Sequence, residues 1–465
     1  MRGMQMPKPR SPALHLAPAP RTLWAMHTRA WSLLVVSCAS ILVWGCGAEG
    51  GVDDSGEEDA LQSGDADLYG GTAPVEIALE APLRTLFAAP EAGPALVGKL
   101  TLKPSGKVFD VEVNYRGESS AMSGTYGCPF KKLKVRFTGD KALRAGTPFQ
   151  GHGSFRVNNA CTFANDDVAY GGGLGRASGQ IGPIREHASY RLVKALGAPV
   201  YQTRLGRVSY TDTSAATTDA GPDAGVLQPL AAEGRTFSRY AMFLESGGDA
   251  LTRLAKTGAI DSEAAGAKNL SSSENEGQGI SRARISRSND VLVDWAQNML
   301  GNADWRYVHH NIDVFGTPGE VGTKPQVALV VDLDLACTVA SSDYASRSGI
   351  RCGNFFYRTK ASGQARATDI PILEAMIARE PAVRAELEKI EQQGFAASPA
   401  YFARGTAGHA KDERFEIMHK TIDGAFATAK AKLQALRALP VAPDSGVADG
   451  SAPDAGARDG SIPRG

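Results

Sequence analysis

The densest functional polarity in the chain lies between residues 302 and 334. It comprises Asn302-Ala303-Asp304-Trp305, then His310-Asn311, then an apolar run 327–331 that ends in Asp332-Leu333-Asp334. Carboxylates at the exit of a rigid apolar strand suit a hard cation such as Mg²⁺, and an amide oxygen from Asn311 could complete such a site. Asp304, on a loop at the end of a helix, then reads as a base or a further ligand. A loop Asp, then an Asn, then a strand, then a metal Asp is the order in which phosphoryl-transfer enzymes of the protein-kinase type place base and Mg²⁺ ligands. The adjacent His309 and His310 point to opposite faces of a strand, which argues against shared ligation.

The elements that must position these groups follow from hydrophobic period. Phe109, Val111, Val113 and Tyr115 alternate with polar residues, as do Leu133, Val135 and Phe137, which predicts half-buried strands. A helix is predicted from Pro183 to a stop at Gly197. Strands are expected over 200–210 and 235–245, where Arg204, Arg207, Arg235 and Arg239 read as the solvated face of a hairpin. Helices are expected over 290–300, 371–392 and 411–439, interrupted by strands near 312–315 and 327–331. The expectation is therefore an α+β fold with a β-rich part followed by an α-rich part.

At these residues the chain resembles a family. Asn302-Ala303-Asp304-Trp305, His310-Asn311 and Val331-Asp332-Leu333-Asp334 are similar to the GNxDW, HN and DxD signatures of the CotH family of spore-coat kinase-like proteins, in particular its exported branch. Arg116-Gly117-Glu118-Ser119-Ser120 resembles that family's RGxS turn, 128–137 its Cys-Pro and basic strand, and 155–161 its strand ending in Cys. Segments 185–197 and 207–210 look like the helix and strand that follow. The resemblance covers roughly 115–352 and implies an atypical two-lobe protein-kinase-like fold with a β-rich N-terminal and a mainly helical C-terminal lobe. It further implies ATP and Mg²⁺ as cofactors and a Ser or Thr of a surface or spore-coat protein as acceptor. Asp304 would stand at the catalytic position, and Asn311 and Asp332 at the Mg²⁺ ligands with Asp334 close by. Lys132 or Lys134 would reach the nucleotide phosphates, positioned by Glu186. A catalytically silent envelope scaffold or adhesion lipoprotein with the same fold is the alternative, since no GxGxxG loop precedes the first strands and an exported protein meets little ATP.

The rest of the 465 residues sets location and limits. Residues 1–45 carry Arg2, Lys8, Arg10, Arg21 and Arg29 with no acidic residue, and the apolar run 31–44 closes on Gly45-Cys46. That reads as a lipoprotein signal, with Met26 a candidate start and Cys46 the lipidated residue. With Gly47 rather than Asp next to Cys46, the expected destination is the outer membrane of a Gram-negative cell, reached through a lipid anchor only. Fifty basic against fifty acidic residues, or 45 against 50 once the signal is gone, offer no cationic field for nucleic acid. Residues 46–75 read as an acidic disordered tether, 76–439 as the folded unit (β-rich about 76–246, α-rich about 247–439, with an insert about 213–229), and 440–465 as a disordered tail. Cys128, Cys161, Cys337 and Cys352 in an oxidising compartment read as two disulfides among three connectivities. Pairing of Cys128 with Cys161 and of Cys337 with Cys352 is expected, because each pair flanks one compact segment and crossed pairing would have to join the lobes.

Overall fold

The structure, a computed structural model, describes residues 67–71, 73–88, 94–116, 130–159, 181–214, 236–271, 279–302, 311–319, 322–333, 336, 338–339, 367–397 and 413–438. All lie within the unit Asp59–Gly465. Seven strands make up its first part: β1 (Val75–Ala81), β2 (Leu96–Leu102), β3 (Lys107–Tyr115), β4 (Leu133–Phe137), β5 (Ser154–Asn159), β6 (Thr203–Asp212) and β7 (Thr236–Glu245). Their order is β1-β2-β3-β4-β5-β7-β6, and β6 returns parallel to β1 with Ile77 opposite Val208, which closes a barrel. The alternation seen in the sequence is the barrel wall. Val111, Val113, Leu133, Val135, Phe155 and Val157 point inward and are fully buried, and Phe109, Phe137, Phe149, Phe155 and Phe243 form a chain of ring contacts through the interior.

Helix α1 (Leu83–Ala88) sends Leu83, Leu86 and Phe87 into the barrel's own core, with Phe87 edge-on to Phe130. The helices that pack outside the barrel are α2 (Ile181–Leu196), α3 (Gly247–Lys256), α4 (Arg287–Met299), α5 (Ile370–Ala378), α6 (Glu380–Ala397) and α7 (Glu413–Arg437). A three-stranded sheet of β8 (Lys268–Asn269), β9 (Ile312–Gly316) and β10 (Val327–Val330) stands in the order β10-β9-β8. A second hydrophobic cluster runs from the outer barrel face (Leu205, Tyr240, Met242, Leu244) through α2 (Ile184, Leu192, Leu196) to β10, α4 and α7 (Phe426, Leu436).

This architecture corrects the expected two-lobe kinase-like fold. An open N-lobe sheet would leave two strand edges, whereas here β1 and β6 use theirs on each other. The second cluster is also continuous from the barrel wall into the helices, so the described residues do not divide into two separately cored lobes. Two boundaries shift as well. Leu68 and Tyr69, within the expected tether, are buried in the barrel cluster, and Asp67 bridges to Phe149. The helix expected over 371–392 is two helices, α5 and α6, which meet at Arg379. Among the described residues no helix is long and apolar enough to cross a membrane.

Candidate functional site

Strand register brings the first group of side chains together. Tyr115 stands opposite Leu133, and Leu133 opposite Val157. One step along, Arg116, Lys132 and Asn158 therefore form a single row across β3, β4 and β5, and the Arg116 N–H donates to the Lys132 carbonyl at 2.9 Å. Because Leu133 and Val157 fill the barrel, their neighbours in this row face outward. There they meet α2 and the end of β10. Lys132 Nζ donates to Asp332 Oδ1 at 2.8 Å, with the lysine side chain 10% exposed and the aspartate 43%. Asn158 Nδ2 donates to Glu186 Oε1 at 2.8 Å, and Arg116 Nη2 donates to Asn158 Oδ1.

The other wall is built from the bottom of α4 upward. Ser286 caps the helix by accepting from the Asn289 N–H, and Asn289 then takes the place of a strand neighbour for β10. Its Nδ2 donates to the Ala328 carbonyl at 3.0 Å and its Oδ1 accepts from the Ala328 N–H at 2.7 Å. At the far end Gly301, with φ 64°, lets the chain leave the helix in the left-handed region, and Asn302 turns back so that its Nδ2 donates to Gln297 Oε1 at 2.9 Å. Gln297 Nε2 in turn donates to the Asn311 carbonyl at 3.1 Å. The Val331 N–H donates to that same carbonyl, also at 3.1 Å, so Asn311 and Asp332 sit at one end of the β9/β10 pair.

Asn311 and Asp332 have φ of 58° and 54°, and among the described residues no other non-glycine has positive φ. Asn and Asp tolerate this region best, yet two adjacent occurrences mark a backbone shaped for its side chains. Tyr190 fixes the second of them, its hydroxyl oxygen accepting from the Asp332 N–H at 2.9 Å. Burial, then Glu186 and Asp332, push the Tyr190 pKa well above the usual phenol value, so the ring stays neutral. Burial and the nearby Arg156 lower the Arg116 pKa, against the raising influence of Asp332, Tyr190 and Glu186.

The structure thus brings Lys132, Glu186, Asn311 and Asp332 to one place. Lys134 does not join them. It is exposed in β4 beside Arg156 and Asn114. Asp304 and Asp334, the histidines 309 and 310, and the cysteines 46, 128, 161, 337 and 352 lie outside the described residues. An amide and a carboxylate are the hard oxygen donors Mg²⁺ takes, and the 43% exposure of Asp332 leaves its carboxylate accessible, so this pair fits two ligands of such an ion. Among the described residues no three His, Cys, Asp or Glu side chains converge as a metal cage. Mg²⁺ needs none, since it commonly takes one or two carboxylates and fills the remainder with water and phosphate.

Sequence reasoning missed Asn158, Tyr190 and Gln297. Asn158 lies on the outward parity of its strand, next to Asn159, and both are buried. Tyr190 and Gln297 lie within helices, where nothing local separates a positioning residue from core. No protein-family model and no curated protein matches the chain.

Proposed function

We propose that this is an exported, lipid-anchored phosphotransferase that uses Mg-ATP to phosphorylate Ser or Thr of a surface or coat protein, with its site mounted on the outside of a closed barrel. The observation that carries the reading is the Lys132–Asp332 contact at 2.8 Å, made beside the left-handed Asn311 and across 200 residues of sequence. A barrel strand supplies the cation for phosphate oxygens, and a second sheet supplies the oxygen ligands for a metal. Phosphoryl transfer is catalysed mainly by positioning and charge stabilisation, so these are the parts it needs.

Asn311 and Asp332 would hold Mg²⁺, which when bound neutralises charge on the β- and γ-phosphates. Lys132 balances the remaining phosphate charge. Glu186, through Asn158, fixes the row that carries Lys132 against the barrel. Asp304 accepts the proton of the attacking hydroxyl as its oxygen bonds to the γ-phosphorus and the bond to the ADP oxygen breaks.

Calorimetry on the purified protein with ATP and Mg²⁺ tests this. Wild type should bind, and Asp332→Ala should abolish Mg²⁺-dependent binding. Asp304→Asn should keep binding but slow transfer by roughly 10²- to 10⁴-fold, the usual worth of a positioned base. If wild type binds no ATP with Mg²⁺ or Mn²⁺, the phosphotransferase reading is lost and a silent envelope scaffold takes its place. The location rests on Cys46, and a Cys46→Ala variant that is processed like wild type would remove the lipid anchor from the proposal.

A further inference from the structure

Six residues join the end of α2 to the start of β6, and they touch both strands that carry the candidate metal ligands. Gly197, with φ 88°, turns the chain out of the helix. The Pro199 carbonyl then accepts from the Val330 N–H at 3.1 Å, and Val200 pairs in parallel with Val330, two positions before Asp332. The Tyr201 hydroxyl donates to Asp313 Oδ2, two positions after Asn311. One connector therefore holds each ligand strand two positions from its ligand.

The connector is itself anchored to the barrel. The Gln202 N–H donates to Glu245 Oε2 at 3.1 Å, and its carbonyl accepts from the Glu245 N–H at 2.9 Å. Arg156 of β5 lays its guanidinium 4.2 Å over the Tyr201 ring while its Nε donates to the Glu245 carbonyl at 2.7 Å. The same strand carries Asn158, a member of the row that holds Lys132. Tyr201 is buried and meets Phe315 of β9 edge-on at 6.1 Å. Burial, then Asp313, push its pKa well above the usual phenol value, so the hydroxyl keeps its proton and remains a donor.

This link spans the two halves of the site. Asn311 and Asp332 stand on the small sheet and Lys132 on the barrel, so a cation held by the pair and by a phosphate gripped by Lys132 sits between the two bodies of structure. Mg²⁺ demands near-ideal octahedral geometry at about 2.0–2.1 Å, whereas Ca²⁺ accepts variable geometry at about 2.3–2.6 Å. A fixed separation between sheet and barrel would favour the smaller ion. We infer that Tyr201 is a positioning residue that, through Asp313, sets the spacing between the ligand pair and Lys132, and with it the preference of the site for a small divalent cation. This rests on the Mg-ATP reading above and names the residue that tunes it.

Displacement of a fluorescent ATP analogue by ATP, run on the full-length protein once in Mg²⁺ and once in Ca²⁺, reads that preference as a ratio of affinities. Tyr201→Phe keeps the ring against Phe315 and Arg156 and removes only the hydroxyl. The ratio should fall roughly tenfold, with the loss on the Mg²⁺ side. Asp313→Asn keeps an acceptor for the hydroxyl and should retain most of the ratio. Phe243→Leu loosens the barrel core without touching the connector, and should lower the melting temperature while leaving the ratio alone. Melting of each unliganded variant establishes that it is folded, and Asp313→Ala, at a half-buried position, carries the test if Tyr201→Phe is not. An unchanged ratio in Tyr201→Phe overturns the inference, as does an equal shift in Phe243→Leu or a wild type that binds ATP equally well in both ions. A wild type that binds ATP in neither ion fails the phosphotransferase reading itself and takes the inference with it, so wild type alone tells the two failures apart.

Discussion

Lys132 and Asp332 contribute unequally to stability although they form one contact. The lysine side chain is 10% exposed and the aspartate 43%. Lys132→Met removes a cation and leaves a carboxylate that water can reach, whereas Asp332→Ala removes a counter-charge from a buried ammonium. The second change should cost more, by about 1–2 kcal/mol, because a desolvated charge that loses a partner is the expensive case. Urea unfolding of the two variants at neutral pH measures the difference, and equal losses would contradict it. A second single-residue effect lies at the opposite end of the barrel, where His152 stands between Asp249 (Nδ1 to Oδ2, 3.0 Å) and Asp67 (Nε2 to Oδ1, 3.5 Å), with Tyr69 edge-on to its ring. Burial pulls the His152 pKa down, but the hydrogen bonds to Asp249 and Asp67 outweigh it and raise the value to about 9. Its folded pKa thus exceeds the unfolded value of about 6.5, so its contribution is complete below pH ~6.5 and is lost as pH rises through 9. Wild type should lose about 1–3 kcal/mol over that window, and His152→Phe should lose much less. A side-chain NMR titration with a midpoint near 6.5 would refute the clamp. At this scale the sequence was legible where chemistry is written in residue type: Asn311 and Asp332 were selected by type and order, whereas Lys132 or Lys134 and Glu186 were named only through the family resemblance. It was opaque where the role is set by register, as for Asn158.

Helix α2 is the element on which the site depends, since it carries both Glu186 and Tyr190 and packs on β6, β7 and α6. Its start and stop were readable, with Pro183 in the first turn and Gly197 just beyond the end. What it packs on was not, because the outer faces of β6 and β7 were expected to be solvated. Arg204 and Arg239 fall on the alternate parity, that of Gly206 and Ala241, and are buried, Arg204 donating Nε to the Ala73 carbonyl at 2.7 Å. On the outer face itself Leu205, Met242 and Leu244 are buried. The same burial encloses His187, whose Nδ1 lies 2.9 Å from Thr203 Oγ1 across the α2/β6 contact. Burial, then Arg191 and Arg204, depress its pKa to about 3, so the folded protein holds it neutral. Here the folded value lies below the unfolded one. Stability is therefore full above pH ~6.5 and falls as the pH drops toward 3, because the unfolded chain takes up a proton that the native helix refuses. The slope from this one group reaches about 1.4 kcal/mol per pH unit. Between pH 6.5 and 5, wild type should lose about 2 kcal/mol on this account, while His187→Gln, which keeps a polar partner for Thr203, should lose far less. Identical pH dependences for the two proteins in urea unfolding would show that α2 does not seal this residue from water. His152 barely changes in that acid window, so the two histidines are separable.

For the whole molecule, the decisive pairing is the one that no local pattern announces. Alternation predicted β3 and β4, but closure needs β1 and β6 to lie parallel with Val75 opposite Gly206, a contact some 130 positions apart in the chain and invisible to period or turn chemistry. Val75 to Ala81 alternates inward and outward as well as any strand here, yet it follows an acidic stretch whose composition reads as tether. The barrel also has to be filled, and Gly206 shows how. It is an inward position of β6, opposite Ala241 of β7, and a Cβ there would stand 2.4 Å from the ring of Phe243, which is fully buried. The missing side chain is the space that the ring occupies. Gly206→Ala should destabilise the protein by about 1–3 kcal/mol, because a packed ring has to shift off its place. Phe243→Leu alone should cost about 1–2 kcal/mol for the volume lost. If both residues share one space inside a closed wall, the double variant should be more stable than the sum of the single losses predicts, by about 1 kcal/mol or more. Strict additivity in a denaturant-unfolding cycle would mean that β6 does not bring Gly206 against Phe243, and the filled barrel on whose outer face the Lys132 row stands would then have to be redrawn.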